Sequence, residues 1–475
     1  MKRLTSALLL LFSAGAAAIE PPAHGQSAWM LADANTGNIE MRHQDELLMK
    51  PASTQKLVTV LAGALTLGPD WQYETRLQYR GDLDQGRLTG DLLIDFAGDP
   101  SLTREQLAEL LRRSGIRHIS GKVLLNQYHF TGYDRGNGWS WNDLGVCYTA
   151  PAAALILDRN CVQGALYART GSPARATVPA HQPVSVSAEV AVLNRTEREQ
   201  SFCELELDMG PDNQYHLTGC IGPRKEPWPL RFAIQDVSHW GTQLTGWALK
   251  QAGIVHSGTM EGSRINASQW PVLASHKSPP FAELAERILV YSDNLYADSL
   301  LRTLGAMHFS QPGSFRNGTQ AVREILKAQA NIDLGPSWLA DGSGLSAHNL
   351  LRARDLMAVL LTISQDPRAQ WLLARLPVSG ESGTLRYRKS VQGPALKGKV
   401  IAKTGTIAHV QNLAGFIDTP NGERKAFVLL QNGLSISPEQ SDAMAQGQLE
   451  WPARRFERNW LTGITERASI VSTNQ

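Results

Sequence analysis

Ser53-Thr54-Gln55-Lys56 sets a hydroxyl and an amine three residues apart, a spacing at which two side chains share one face of a helix. A serine hydroxyl is a weak nucleophile until a base takes its proton, and a lysine can be that base once burial or a neighbouring cation lowers its pKa. The start of a helix also offers free backbone N–H groups to a developing oxyanion. The pair therefore suits nucleophilic acyl transfer. On its own the motif is weak, because Ser53 reads equally as an N-cap and Lys56 as a solvated cation.

Two further motifs change that weighing. Ser292-Asp293-Asn294 follows an amphipathic stretch, and Lys403-Thr404-Gly405-Thr406 is expected to precede a strand. Each alone reads equally as a cap or a turn, and each has decoys. Ser472-Thr473-Asn474 lies in the tail, and Arg169-Thr170-Gly171 stands on the wrong side of Ser292. What is specific is the ordered set of three.

The elements around these motifs follow from periodicity. Residues 26–33 and 38–42 flank the turn signal Ala34-Asn35-Thr36-Gly37 and are expected to form a β-hairpin. A helix is expected from Ser53, with Leu57, Val60, Leu61 and Leu65 at helical spacing and Ala and Val on the other faces, so it should be buried almost all round. Gly68-Pro69 stops it. From Trp71 to Ser263 short strand-like runs, such as Leu92-Leu93-Ile94-Asp95-Phe96, alternate with turn residues. One helix interrupts them over residues 103–113, opened by the capping-box pattern Thr103-x-x-Gln106. The helical period returns after Pro279-Pro280, and strands are expected at 412–417 and 426–430. The tail from Arg454 to Leu461 is read as a packed terminal helix in preference to a weak surface anchor.

Residues 1–18 read as a secretory signal: Met1-Lys2-Arg3, an apolar run, then small residues up to Ala18, with Ile19 as the mature start. No later stretch approaches the roughly 20 apolar residues of a transmembrane helix, so a periplasmic protein without such an anchor is expected. Loss of Lys2 and Arg3 takes the formal charge from +2 to zero, which disfavours a nucleic-acid partner. The mature chain is too long for one compact core and suggests two or three domains. Cys147, Cys161, Cys203 and Cys220 are an even set in an exported chain, where disulfides persist. Of the three possible pairings the sequence-local one, Cys147 with Cys161 and Cys203 with Cys220, is expected, against a reading as four buried thiols. A zinc site is disfavoured because no Cys-x-x-Cys or paired His spacing accompanies them.

The ordered motifs are a recognised signature of class A β-lactamases and penicillin-binding proteins. At these residues the sequence resembles the low-molecular-mass class C penicillin-binding proteins, the D-Ala-D-Ala carboxypeptidases and endopeptidases related to penicillin-binding protein four of enteric bacteria. The likeness extends through Leu48 to Lys56, Gly98-Asp99-Pro100-Ser101, Trp141-Asn142-Asp143, Asp158-Arg159-Asn160-Cys161, Ala340 to Ser346 and Ala402 to Gly405. Half the chain separates Ser53 from Ser292, far more than a compact β-lactamase needs.

The resemblance implies an α/β (α+β) serine DD-peptidase/β-lactamase-like domain, an antiparallel sheet with helices, formed by residues 19–70 and 264–475. Residues 71–263 would be an inserted β-rich region of two domains. It implies that Ser53 attacks the carbonyl of the penultimate D-Ala, with Lys56 as general base and the N–H groups of Ser53 and Thr406 as oxyanion hole. Ser292 would relay a proton to the leaving amine and Asn294 would hold the peptide. Lys403 would supply positive charge, with Thr404, Gly405 and Thr406 binding the terminal carboxylate. Peptidoglycan peptides are the implied substrates and β-lactams the implied covalent inhibitors, with no metal or organic cofactor. A β-lactamase and a catalytically silent peptidoglycan-binding scaffold are the rival readings. The former lacks a clear Glu-bearing loop between Ser53 and Ser292, and the latter would be free to lose one of these five side chains.

The chain also departs from the family. There an acidic residue of the inserted region, an Arg after Gly-Leu-Ser and a Gln three positions beyond the Gly of Lys-Thr-Gly help hold the charged end of a diaminopimelyl side chain. The matching positions here are Asn126, Ala347 and Ala408. Neither Ala can bind a carboxylate through its side chain, so a weaker or rebuilt pocket is expected, unless His348, Arg352 or His409 supplies the missing contacts.

Overall fold

The computed structural model describes residues 20–473; the signal expected over 1–18 and the mature start at Ile19 lie outside them. A five-stranded antiparallel sheet joins the two ends of the chain. Its order is Val400–Ile407, Val410–Asp418, Arg424–Asn432, Gln26–Asp33 and Ile39–His43. The first strand in sequence pairs with the last, Gln26 opposite Asn432 and Asp33 opposite Lys425. Successive side chains of a strand point to opposite faces, and the sheet uses both. Ala28, Met30, Ala414, Phe416, Val428 and Leu430 face a layer of helices, whereas Leu31, Leu413, Ile417, Phe427 and Leu429 face the C-terminal segment. A strand buried on both faces has no polar alternation, which is why these segments read as continuous apolar runs.

The helical layer comprises Lys56–Leu67, Phe281–Val290, Asn294–Phe309, Phe315–Ala330 and Ala353–Gln365. The helix after Ser53 is buried at every position from Lys56 to Leu65 and ends at Gly68, whose φ of 75° suits glycine. On the other face of the sheet the helix Pro452–Thr473 inserts Phe456, Trp460, Leu461 and Ile464 into a common core, so the tail is packed. None of the described helices is long and apolar enough to cross a membrane.

Between these halves lies the inserted region. Glu74–Asp84 and Arg87–Asp95 head a seven-stranded mixed sheet, covered by Arg104–Arg113, whose capping box is formed, and by Val237–Ala252. That second helix is not legible in the sequence, because its two Gly, two Thr and two Trp give weak helix propensity and its stability comes from burying Trp240, Leu244 and Ala248. Val272–Lys277 pairs with Glu74–Asp84, so the sheet of this region takes a strand from beyond Ser263. Two three-stranded sheets, containing Ser185–Val192 and Cys161–Tyr167, enclose a separate core around Leu166, Tyr215, Leu217 and Phe232. The disulfides join Cys147 to Cys161 and Cys203 to Cys220.

Candidate active site

Ser53 lies in a single 3-10 turn, Ala52–Gln55, that leads into the helix Lys56–Leu67. The turn is clamped from two sides by glycines. A Cβ at Gly344 would meet the Ala52 carbonyl oxygen at 1.8 Å, and one at Gly405 would meet that of Pro51 at 2.6 Å, so neither site tolerates a side chain. Lys403-Thr404-Gly405-Thr406 precedes the strand Val410–Asp418, as expected, and itself lies inside another, Val400–Ile407, at the edge of the sheet and pressed against the Ser53 turn. The pattern Ala-Lys-Thr-Gly-Thr carries little apolar alternation, and its burial comes from the Ser53 turn and the neighbouring Gly383–Leu385 turn rather than from its own sequence.

The lysine of the first motif is fully buried. Its Nζ contacts Ser53 Oγ at 2.9 Å, Asn294 Oδ1 at 2.6 Å and the Ser343 carbonyl oxygen at 2.6 Å. Burial pushes its pKa from 10.5 down to about 8, against the opposing pull of Asp298, Asp341 and Asp293. Asp298 is itself buried, which raises its pKa well above the ordinary carboxylate range, and its Oδ1 accepts from the N–H groups of Gly342 and Ser343. Asp341 ties the same loop together, accepting from Asn349, Gly344, Ser346 and Trp139.

The second lysine, Lys403, is also fully buried. It donates to Ser292 Oγ at 2.8 Å and to the Thr404 carbonyl oxygen at 3.0 Å. Burial first, then Lys56 and Arg388, push its pKa well down. No carboxylate among the described residues hydrogen-bonds it. Its charged form thus lacks the counter-charge that Lys56 has, and an anion arriving in the cleft would supply it.

Ser53, Lys56, Ser292, Asn294 and Lys403, brought together from both ends of the chain, form one constellation, with Thr404 and Gly405 lining the adjoining strand and Thr406 exposed on it. Four residues without an assigned role in the sequence join it. Thr404 Oγ1 donates to Thr384 Oγ1 at 2.9 Å, and Asn294 Nδ2 donates to the Tyr148 carbonyl oxygen at 2.8 Å. Arg159 pairs with Asp293, and Trp139 Nε1 donates to Asp341 at 2.8 Å. Three of these four belong to the inserted region, and only Arg159 falls in a run that carries the resemblance. The fourth, Thr384, sits in a Gly-Thr-Leu turn with no motif of its own.

The three departures from the family fall differently. Asn126 is buried and committed, donating to Asp95 Oδ1 at 2.8 Å and to the Ile265 carbonyl oxygen at 2.9 Å while accepting from Ile265 N. Ala347 and Ala408 are exposed. Of the substitutes, Arg352 is bound to Asp355 and Glu46, and His409 Nδ1 to the Leu434 carbonyl oxygen, while His348 is exposed.

A relative from Haemophilus influenzae, D-alanyl-D-alanine carboxypeptidase DacB, is 36% identical over 430 residues, spanning 90% of this chain and 88% of its own. The crystal structure of penicillin binding protein 4 (dacB) from Haemophilus influenzae matches with a TM-score of 0.85 at 35% identity, covering 94% of this chain and 97% of that one. A second structure of that protein, complexed with a novel β-lactam, matches with a TM-score of 0.80 at 32% identity over the same shares. Residues 14–454 match the D-Ala-D-Ala carboxypeptidase 3 (S13) family, and the chain belongs to it.

Proposed function

We propose that this chain is a periplasmic serine-type D-Ala-D-Ala carboxypeptidase and/or DD-endopeptidase that acts on peptidoglycan stem peptides and cross-links and is acylated by β-lactams. The observation that carries the reading is the 2.9 Å contact between Ser53 Oγ and the buried amine of Lys56. A neutral lysine has two N–H donors and one lone pair. Asn294 Oδ1 and the Ser343 carbonyl oxygen can only accept, so they take both donors and leave the lone pair facing the Ser53 hydroxyl.

Ser53 then attacks the carbonyl of the penultimate D-Ala and passes its proton to Lys56. The N–H groups of Ser53 and Thr406 receive the oxyanion. Lys403, Thr404 and Thr406 bind the terminal carboxylate, whose charge favours the protonated form of Lys403 against burial. Ser292, hydrogen-bonded to Lys403, relays a proton to the leaving amine, and water hydrolyses the acyl-enzyme. Carboxypeptidase and endopeptidase cleavage share these steps and differ in the leaving amine.

Intact-mass analysis after incubation with benzylpenicillin tests this reading. A lasting adduct on the wild type and none on a folded Ser53→Ala variant is the expected result. An adduct that turns over within seconds would indicate a β-lactamase, and no adduct at all a silent scaffold.

A further inference from the structure

The inserted region touches the Ser292-Asp293-Asn294 turn twice, and both contacts come from the one loop that the Cys147–Cys161 disulfide closes. Tyr148, directly after Cys147, offers its carbonyl oxygen to Asn294 Nδ2 at 2.8 Å. Arg159, two residues before Cys161, pairs with the buried carboxylate of Asp293. Arg287, from the helix Phe281–Val290, reaches the same oxygen of Asp293 at 3.2 Å. The turn is thus held between an arginine of the inserted region and an arginine of the peptidase domain.

The turn needs holding. Ser292 has a φ of 59°, a left-handed conformation that non-glycine residues rarely adopt and that persists only when the surroundings over-determine it. The holder is strained as well: Asp158, Arg159 and Asn160 have φ values of 50°, 61° and 46°, three left-handed residues in a row. That run is pinned on every side. Asp158 pairs with Arg104, while Asn160 Nδ2 donates to the carbonyl oxygens of Pro151 and Leu155 at 3.2 and 3.1 Å. Ile234 N donates to the Asn160 carbonyl oxygen at 3.0 Å, and the next residue is Cys161 itself. All of these anchors lie in the inserted region, and their joint effect is to aim Arg159 at Asp293.

We propose that the disulfide-closed loop from Cys147 to Cys161 is a positioning element of the active site, acting through Arg159 and the Tyr148 carbonyl. It fixes the left-handed turn in which Ser292 Oγ meets Lys403 and Asn294 Oδ1 meets Lys56. Arg159 is a positioning residue that reaches the reacting groups only through Asp293. The inference rests on the functional reading above, since it assigns a role in acylation.

The test measures benzylpenicillin acylation of the full chain, separating the acylation rate constant from the dissociation constant of the initial complex. The variants are Arg159→Gln, Arg159→Lys and the double change Cys147→Ser with Cys161→Ser. Cys203→Ser with Cys220→Ser, which opens the other disulfide, anchored in a sheet that supplies neither contact to the turn, is the control. Arg159→Gln and the first double variant should lower the acylation rate constant about tenfold or more with little change in initial binding, the pattern of a lost transition-state geometry. Arg159→Lys should recover part of the loss, and the control should acylate at the wild-type rate. An acylation rate for Arg159→Gln within about twofold of wild type overturns the proposal, as does an equal loss in the control, which would mean that opening either disulfide merely loosens the fold. If the first double variant does not fold, Arg159→Gln, which keeps both disulfides, decides. A wild type that takes no adduct brings down the functional reading and this inference with it, whereas a well-acylated wild type with an unaffected Arg159→Gln sinks the inference alone.

Discussion

Lys56 Nζ lies 2.9 Å from Ser53 Oγ, and its two remaining contacts are to oxygens that cannot donate. This arrangement is productive only when the lysine is neutral, because a protonated ammonium has no lone pair to take the serine proton. Its pKa of about 8 sets the pH at which that form is reached. The depressed value means that the neutral base is lost as pH falls through 8. The acylation rate of benzylpenicillin should therefore climb about tenfold per pH unit below that value and level off above it. The charged groups that act on the amine are Asp298, Asp341 and Asp293, which hold its pKa up against the effect of burial. A rate that stays flat from pH 6 to pH 9 would remove Lys56 from the role of base.

Lys403 is buried with two hydrogen bonds and, among the described residues, no acidic partner, so the role proposed for it comes at the expense of stability. Lys403→Met keeps most of the aliphatic volume and removes the uncompensated amine. Acylation should slow by about a hundredfold or more, while the melting temperature holds or rises. Stopped-flow acylation and a thermal melt on the same sample check both halves. A large drop in melting temperature would show that Lys403 supports the fold and not the reaction.

The grouping of Ser53, Lys56, Ser292, Asn294 and Lys403 was legible because its side chains sit in short motifs: Ser53 and Lys56 share a helix turn, Ser292 and Asn294 the turn that opens a helix, and Lys403 to Thr406 a strand. The strand itself was not legible. Val400–Ile407 takes its burial from contacts with the Ser53 turn, which lie across the whole chain from it and leave no local period. The helix Val237–Ala252 was lost for a related reason, since Trp240 and Leu244 make it a helix by packing where propensity would not. Long-range polar partners were the least legible. Nothing local links Arg159 to Asp293 or Trp139 to Asp341, because each pair meets only after the inserted region docks on the peptidase domain.

Beside its apolar contacts, the C-terminal helix is tied to the Lys389–Val391 turn region by a buried ion pair. Glu457 is fully buried and its carboxylate accepts from Arg388 through both oxygens and from Ser390 Oγ at 2.6 Å. Removing one partner of a buried pair leaves the other charged and unsatisfied, at a cost of about 3–5 kcal/mol. Glu457→Ala should lower unfolding stability by that amount in denaturant titrations. A loss below about 1 kcal/mol, as for an exposed pair, would show that the helix is only loosely docked.

The peptide side-chain pocket gives the last prediction. Asn126 spends its amide on Asp95 and Ile265, so the residue aligned with the family's acidic group is turned into the inserted sheet and away from a ligand. Ala347 and Ala408 leave two exposed positions without a polar group, and Arg352 and His409 are occupied elsewhere. His348 is exposed, as is His409 beyond its bound Nδ1, so these substitutes offer a carboxylate an imidazole in place of a guanidinium fork. Recognition of a diaminopimelyl side chain should therefore be weak, while the acylating groups are intact. Benzylpenicillin and a peptide-mimetic β-lactam bearing that side chain should acylate at rates within about tenfold of each other. A gain of about a hundredfold for the peptide-mimetic, some 2.7 kcal/mol of added transition-state stabilisation, would mean that the pocket is rebuilt from other residues. Repeating the comparison on His348→Ala would then show whether that imidazole supplies the gain.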